Sequence, residues 1–149
     1  MNYIEAPAIY EGKGPSLFLA GGLTGAEDWQ LEIARLLTNT PWTLLNPRRR
    51  TFPKAPDAAE EQIRWEYDHL RRATARLFWF PPQTLCPIAL FELGAWSRGS
   101  EPLLVGVHPA YQRRLDVRVQ LSLARPDVTL VSTLEELAAQ AVKLLGRLN

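Results

Sequence analysis

Several things are scarce in this sequence, and each scarcity removes a class of explanation. A single cysteine, Cys86, excludes an intramolecular disulfide framework and fits a reducing compartment. Two histidines, His69 and His108, stand too isolated to suggest a metal centre, so neither a metal nor a cofactor is expected. No apolar run approaches the roughly 20 residues a membrane span needs. The first residues, MNYIEAPAIYEGKG, lack the basic-then-apolar layout of a secretory leader. Charge of one sign is also missing. A net charge of +1 provides no global attraction to a nucleic acid polymer or a membrane surface. These features predict a cytoplasmic globular protein.

What is present is a core. With 149 residues, 46% of them hydrophobic, the chain fits one domain over 1–149 with room for a sizeable interior. Short apolar runs at Ser16–Ala20, Pro41–Leu45, Leu77–Phe80, Leu103–Val107 and Val128–Val131 read as buried strands. Helical patterns follow each in turn. The first opens at Glu27-Asp28 with Trp29, Ile33, Leu36 and Leu37 inward. The others run over Ala58–Ala75, Pro87–Arg98, Val117–Ala124 and Thr133–Leu148. Thr133-Leu-Glu-Glu136 is a capping box for the last helix. Residues 1–15 read as a lead-in or an edge strand. Five strand–helix alternations predict an α/β fold, a flavodoxin-like doubly wound five-stranded parallel sheet with helices on both faces and strand order 2-1-3-4-5.

That order puts the switch point between the first and third strands, where Gly21–Gly25 and Gln83–Glu92 meet. The segment Thr84–Gly94 carries one carboxylate, Glu92, among apolar neighbours in a helix expected to turn Ile88, Phe91 and Ala95 to the sheet. Glu92 reads either as a reactive acid or as a solvated helix-face residue. Gly21 and Gly22 suit close backbone approach to an anion or a sugar hydroxyl, or simply a tight strand-to-helix turn. Asn46 and Arg48-Arg49-Arg50 follow the second strand, where a pocket is expected, and the arginines read as a phosphate binder or as a solvated surface. Within the long helix, Trp65 and Tyr67 flank acids at Glu66 and Asp68.

An ordered set of segments has a recognisable look: FLAGG at 18–22, DWQ at 28–30, NPRR at 46–49, QIRWEYDHL at 62–70, FWFPPQTLCPIALFELG at 78–94 and HPAYQRRLDV at 108–117. Over about residues 16–120 the chain resembles the nucleoside 2-deoxyribosyltransferase family, in the branch carrying NPRR and WEY. The resemblance implies an enzyme exchanging the base of a 2'-deoxyribonucleoside, with deoxyribonucleosides and free nucleobases as substrates. It implies Glu92 as nucleophile and Asp68 as the acid that handles the base proton. It also implies a homo-oligomer in which the loop after the fourth strand, with Tyr111 and Asp116, completes a neighbour's site. Gly21, Gly22, Asn46 and Trp65 complete the candidate substrate contacts. Two departures from the family pattern are Cys86, six residues before Glu92 where some members have Asp, and Arg76, where many carry an acid.

The chemistry needs two carboxylates in different environments. Cleavage of a glycosidic C–N bond develops oxocarbenium character that an ionised carboxylate captures, and a second acid manages the base proton. The helix dipole is expected to keep Glu92 anionic, and the flanking aromatics to raise Asp68. Hydrolysis of deoxynucleoside 5'-monophosphates, with the arginines on the phosphate, and a non-catalytic nucleotide-binding module are the competing expectations.

Overall fold

The computed structural model describes residues 1–148. Six strands form one sheet: β1 (Asn2–Glu5), β2 (Ser16–Gly21), β3 (Thr43–Asn46), β4 (Ala75–Phe80), β5 (Leu103–Val107) and β6 (Leu130–Val131). Their order is β1-β3-β2-β4-β5-β6, and every pairing is parallel. The five expected strands therefore take the expected 2-1-3-4-5 order. The lead-in supplies a sixth, because Asn2–Glu5 has a free edge of β3 to pair with, residue for residue, from Asn2 beside Thr43 to Glu5 beside Asn46.

Five helices cover the two faces: α1 (Trp29–Leu36), α2 (Ala58–Arg72), α3 (Pro87–Trp96), α4 (Arg114–Ala124) and α5 (Leu134–Leu148). Strand alternation decides which side chains go where. Phe78 and Phe80 of β4 join Phe18, Ala20, Val105 and Val107 under α2, α3 and α4. Leu77 and Trp79 point the other way, with Leu17, Leu19 and Leu104, under α1 and α5. Trp79 fits because its neighbour across the pairing is Gly106. A Cβ there would lie 2.7 Å from the indole ring.

Local chemistry sets the helix ends. Asp28 accepts from the Leu31 amide at 3.3 Å to start α1. The capping box closes in both directions at α5. The Glu136 amide donates to Thr133 Oγ1 at 3.2 Å, and the Thr133 amide donates to Glu136 Oε2 at 3.1 Å. The end of α2 is held from inside the sheet. Arg76, buried within β4, donates through Nε to the Leu70 carbonyl and through Nη2 to the Arg71 carbonyl, both at 2.9 Å. Its guanidinium lies 4.0 Å from the ring centre of Trp96. A cation on the last carbonyls of a helix satisfies orphan acceptors and complements the dipole.

One expected face is corrected. α3 turns Ala89 and Leu93 to the sheet, while Ile88 and Phe91 are 63% and 76% exposed and Ala95 is exposed as well. The reason is compositional. α3 is apolar on nearly every side, so its periodicity selects no inward face. Shape decides instead, and small Ala89 lets the helix approach β4.

Replacing Arg76 by Met leaves the Leu70 and Arg71 carbonyls without their donor. Urea unfolding of this variant is expected to lose about 2–4 kcal/mol with an unchanged m-value.

Candidate active site

A cleft of about 850 Å³ opens at the carboxyl ends of β2 and β4, between the loop after β2, one side of α2, and α3 with the loop that follows it. Gly21 forms its floor with φ of +151°. Any Cβ there would sit 2.2 Å from the Trp79 carbonyl oxygen, so only glycine lets β2 leave the sheet this close to β4. Gly22 is occupied structurally, its carbonyl accepting Trp29 Nε1 at 2.8 Å.

The arginine run stitches this rim together. Arg48 donates to Gln30 Oε1 at 3.0 Å and to the Glu27 carbonyl at 3.0 Å, and its Nε lies 3.5 Å from Asp28. The Arg49 side chain is buried and gives both terminal nitrogens to Glu61 at 3.1 Å. Arg50 lies 3.7 Å from Glu5. Each guanidinium thus answers an acid of its own chain.

The opposite wall enters through Cys86, held in the left-handed conformation at φ 50°. Its thiol donates weakly to the Thr84 carbonyl at 3.4 Å. Burial pushes that thiol up to about 11, so it stays neutral. Tyr111 anchors the same loop from below, its hydroxyl donating to the Leu85 carbonyl at 2.7 Å while its ring packs on Phe80.

Three carboxylates line the cleft: Glu92 from α3 and Glu66 from α2, both partly buried, and the exposed Glu101 in the loop after α3. Glu92 sits in the second turn of α3, past the reach of the helix dipole, which fades within the first turn. The expectation that the dipole keeps it anionic is therefore overturned. Burial, and then the charge of Glu66, push its pKa up to about 7. Glu66 is also raised by burial, but a hydrogen bond from Gln62 and the charge of Arg49 pull it back. The two acids thus differ in environment although they share a cleft.

The other sequence candidates lie elsewhere. Asp68 is exposed and lines a separate groove with Ile9, Asp57 and His69. Two residues of helix rotate a side chain by about 200°, so Asp68 and Glu66 leave α2 on opposite sides. Trp65 is buried, stacked on His69 at 4.0 Å, with its Nε1 donating to the Ala8 carbonyl at 2.9 Å. Asn46 is buried beside the cleft, donating to the Tyr3 hydroxyl and accepting the Arg48 amide at 3.0 Å. Asp116 pairs with Arg113 at 3.1 Å on a groove between α3 and α4. Of the eight candidates, Gly21 and Glu92 line the cleft and Tyr111 supports it from behind. Glu66 was missed, although Ile63, Glu66, Tyr67 and Leu70 follow the i, i+3, i+4, i+7 spacing of one helix face. Among the described residues no three His, Cys, Asp or Glu side chains converge as a metal-binding group, and no helix is long and apolar enough to cross a membrane.

A family model described as nucleoside 2-deoxyribosyltransferase like matches residues 14–111. The chain belongs to this family. No curated protein matches the chain closely enough to place it further. The family match runs from β2 through Tyr111, and so includes both walls of the cleft, with Glu66 and Glu92, in this nucleoside deoxyribosyltransferase-like protein.

The raised Glu92 fixes a sign for stability. Its folded pKa, about 7, exceeds the ordinary glutamate value of 4.5, so the stability it contributes is complete below about pH 4.5 and is lost as pH rises through about 7. Glu92→Gln is expected to be more stable than the parent at pH 8, by on the order of 2 kcal/mol, with the gain vanishing near pH 4.5. Urea midpoints at the two pH values check this.

Proposed function

We propose that this protein transfers a 2-deoxyribosyl group between nucleobases through a covalent sugar–Glu92 ester, with retention of configuration. The observation that carries the reading is the pairing of Glu92 and Glu66 across one half-buried cleft at the switch point of the sheet. The cleft volume lies in the range of small-molecule sites, about 300–1,000 Å³. Glu66 takes the second-carboxylate role that the family resemblance gave to Asp68, because Glu66 faces the cleft and Asp68 does not.

Near neutral pH the two acids hold one proton between them. As the C1'–N bond breaks, its electron pair goes to the base and the shared proton follows, so the base leaves neutral. A Glu92 oxygen closes on C1' and forms the ester, leaving both carboxylates without a proton. An incoming base then attacks C1' from the face the first one left, expels the Glu92 carboxylate and returns its proton to Glu66. Two inversions give retention. Tyr67, exposed at the cleft mouth with Arg71 above its ring at 5.3 Å, offers a stacking surface for the base.

Free nucleosides fit better than 5'-monophosphates as substrates. Arg48, Arg49 and Arg50, the candidate phosphate ligands, are each paired with an acid of the same chain, and none of the three lines the cleft, where Arg71 stands over the Tyr67 ring. The cleft mouth is rimmed by exposed Ile63, Tyr67, Ile88 and Phe91. An apolar rim of this kind suits coverage by a second copy of the chain, in keeping with a cytoplasmic homo-oligomer.

Incubation with thymidine and adenine is expected to form deoxyadenosine. Glu92→Ala should lower the rate on the order of a thousandfold or more, and Glu66→Gln roughly a hundredfold. Chromatography reads both. Thymine without deoxyadenosine would establish hydrolysis instead, and no turnover of any nucleoside or nucleotide would leave a binding module. The rate should also fall as pH rises above about 7, where the pair loses its proton.

A further inference from the structure

Gln62 lies one helical turn before Glu66 on α2, and it is 91% buried by its relative exposure of 9%. Its Nε2 donates twice, to Glu66 Oε1 at 2.7 Å and to the Pro47 carbonyl at 2.7 Å. Its Oε1 is buried and finds no partner among the described residues. An interior amide with an unpaired oxygen costs stability, which is a poor bargain unless the donor end is needed. Both donor contacts go to elements that frame the cleft. Pro47 follows β3 at the carboxyl edge of the sheet, and Glu66 is the α2 acid of the site.

We propose that Gln62 is a positioning residue for the reaction, fixing the Glu66 carboxylate in the cleft by tying it to the backbone at the exit of β3. This inference rests on the reading of Glu66 as the second carboxylate.

The bond has two consequences for chemistry. First, it removes a rotational freedom. A glutamate on a helix has three side-chain torsions, and burial alone does not choose among them. A 2.7 Å bond from a side chain that is itself pinned to Pro47 selects one orientation and leaves Oε2 for the proton and the base. Secondly, an N–H donor stabilises the ionised form. Gln62 lowers Glu66 against the burial that raises it, together with the charge of Arg49. Glu92 receives no such opposing influence among the described residues. The two acids thus stand in unequal surroundings, and the Gln62 donor is part of what makes them so.

Arg49 belongs to the same arrangement at one remove. Its terminal nitrogens are turned to Glu61, and its Nε is buried without a partner among the described residues. It therefore acts on Glu66 by its charge alone, leaving Gln62 as the group that sets orientation.

The test is a titration of the glutamate carboxyl carbons by NMR, with the Glu66 signal assigned by its loss in Glu66→Gln, alongside the pH–rate profile of thymidine–adenine exchange. In Gln62→Met, which keeps the side-chain length and removes the donor, the Glu66 midpoint is expected to rise by roughly one pH unit. The rate should fall roughly tenfold at saturating substrate, with KM within about twofold. Gln62→Glu, which keeps an oxygen-bearing group of the same reach but brings no donor, should raise the midpoint further and serves if the Met variant does not fold. An unchanged Glu66 midpoint in a folded variant would overturn the proposal, as would a change confined to unfolding midpoints. The titration stands without turnover. A parent protein that exchanges no bases refutes the transferase reading, while the Glu66 midpoint still decides whether Gln62 governs that carboxylate.

Discussion

Two carboxylates held out of water in the same cleft are the constraint from which the rest of the structure follows. Like charges repel, and half-burial deprives each of the solvent that would otherwise screen it. The fold meets this by giving the two acids unequal support. Glu66 has an amide donor and a nearby guanidinium, whereas Glu92 is pushed up by burial and by the charge of Glu66. One proton between them relieves the conflict.

The parallel sheet makes the meeting possible. Strand order 2-1-3-4-5 sends the connections after β2 and β4 to opposite faces, so a crevice opens between them at the carboxyl edge. Gly21 lets β2 leave the sheet at that point, and the left-handed Cys86 turns the chain from β4 into α3. Charges that are not needed in the cleft are neutralised around it. Arg48, Arg49 and Arg50 bind the acids of neighbouring elements, and Arg76 closes the end of α2 from within the sheet.

Much of this was legible in the residues. The strand–helix alternation gave class, order and switch point, because buried parallel strands appear as short apolar runs and glycine-rich or proline-containing breaks separate them from helices. Glu92 stood out as a lone acid in an apolar helix. Two things were not legible for physical reasons. The orientation of α3 was hidden because a helix apolar on every side has no preferred face by pattern, so Ile88 and Phe91 were placed inward although they are exposed. The partner of Glu92 was hidden because WEYD offers two acids only two residues apart, and the flanking aromatics drew attention to Asp68. Counting from Ile63 and Leu70, which flank the cleft, leads to Glu66 instead. The same rotation sends Trp65 into the packing against His69. Tyr111 shows a further limit. A tyrosine in a loop after β5 looks available to a neighbour, but its hydroxyl donates to the Leu85 carbonyl of its own chain.

The most direct test of the account is to trap the sugar on the enzyme. Rapid acid quench of the protein with a 2'-deoxynucleoside, followed by peptide mass spectrometry, should find one 2-deoxyribosyl group on the peptide bearing Glu92. Fragmentation should place it on that side chain, and Glu92→Ala should carry none. An adduct on another residue, or efficient base exchange with no adduct at Glu92 under conditions that preserve such esters, would contradict the account.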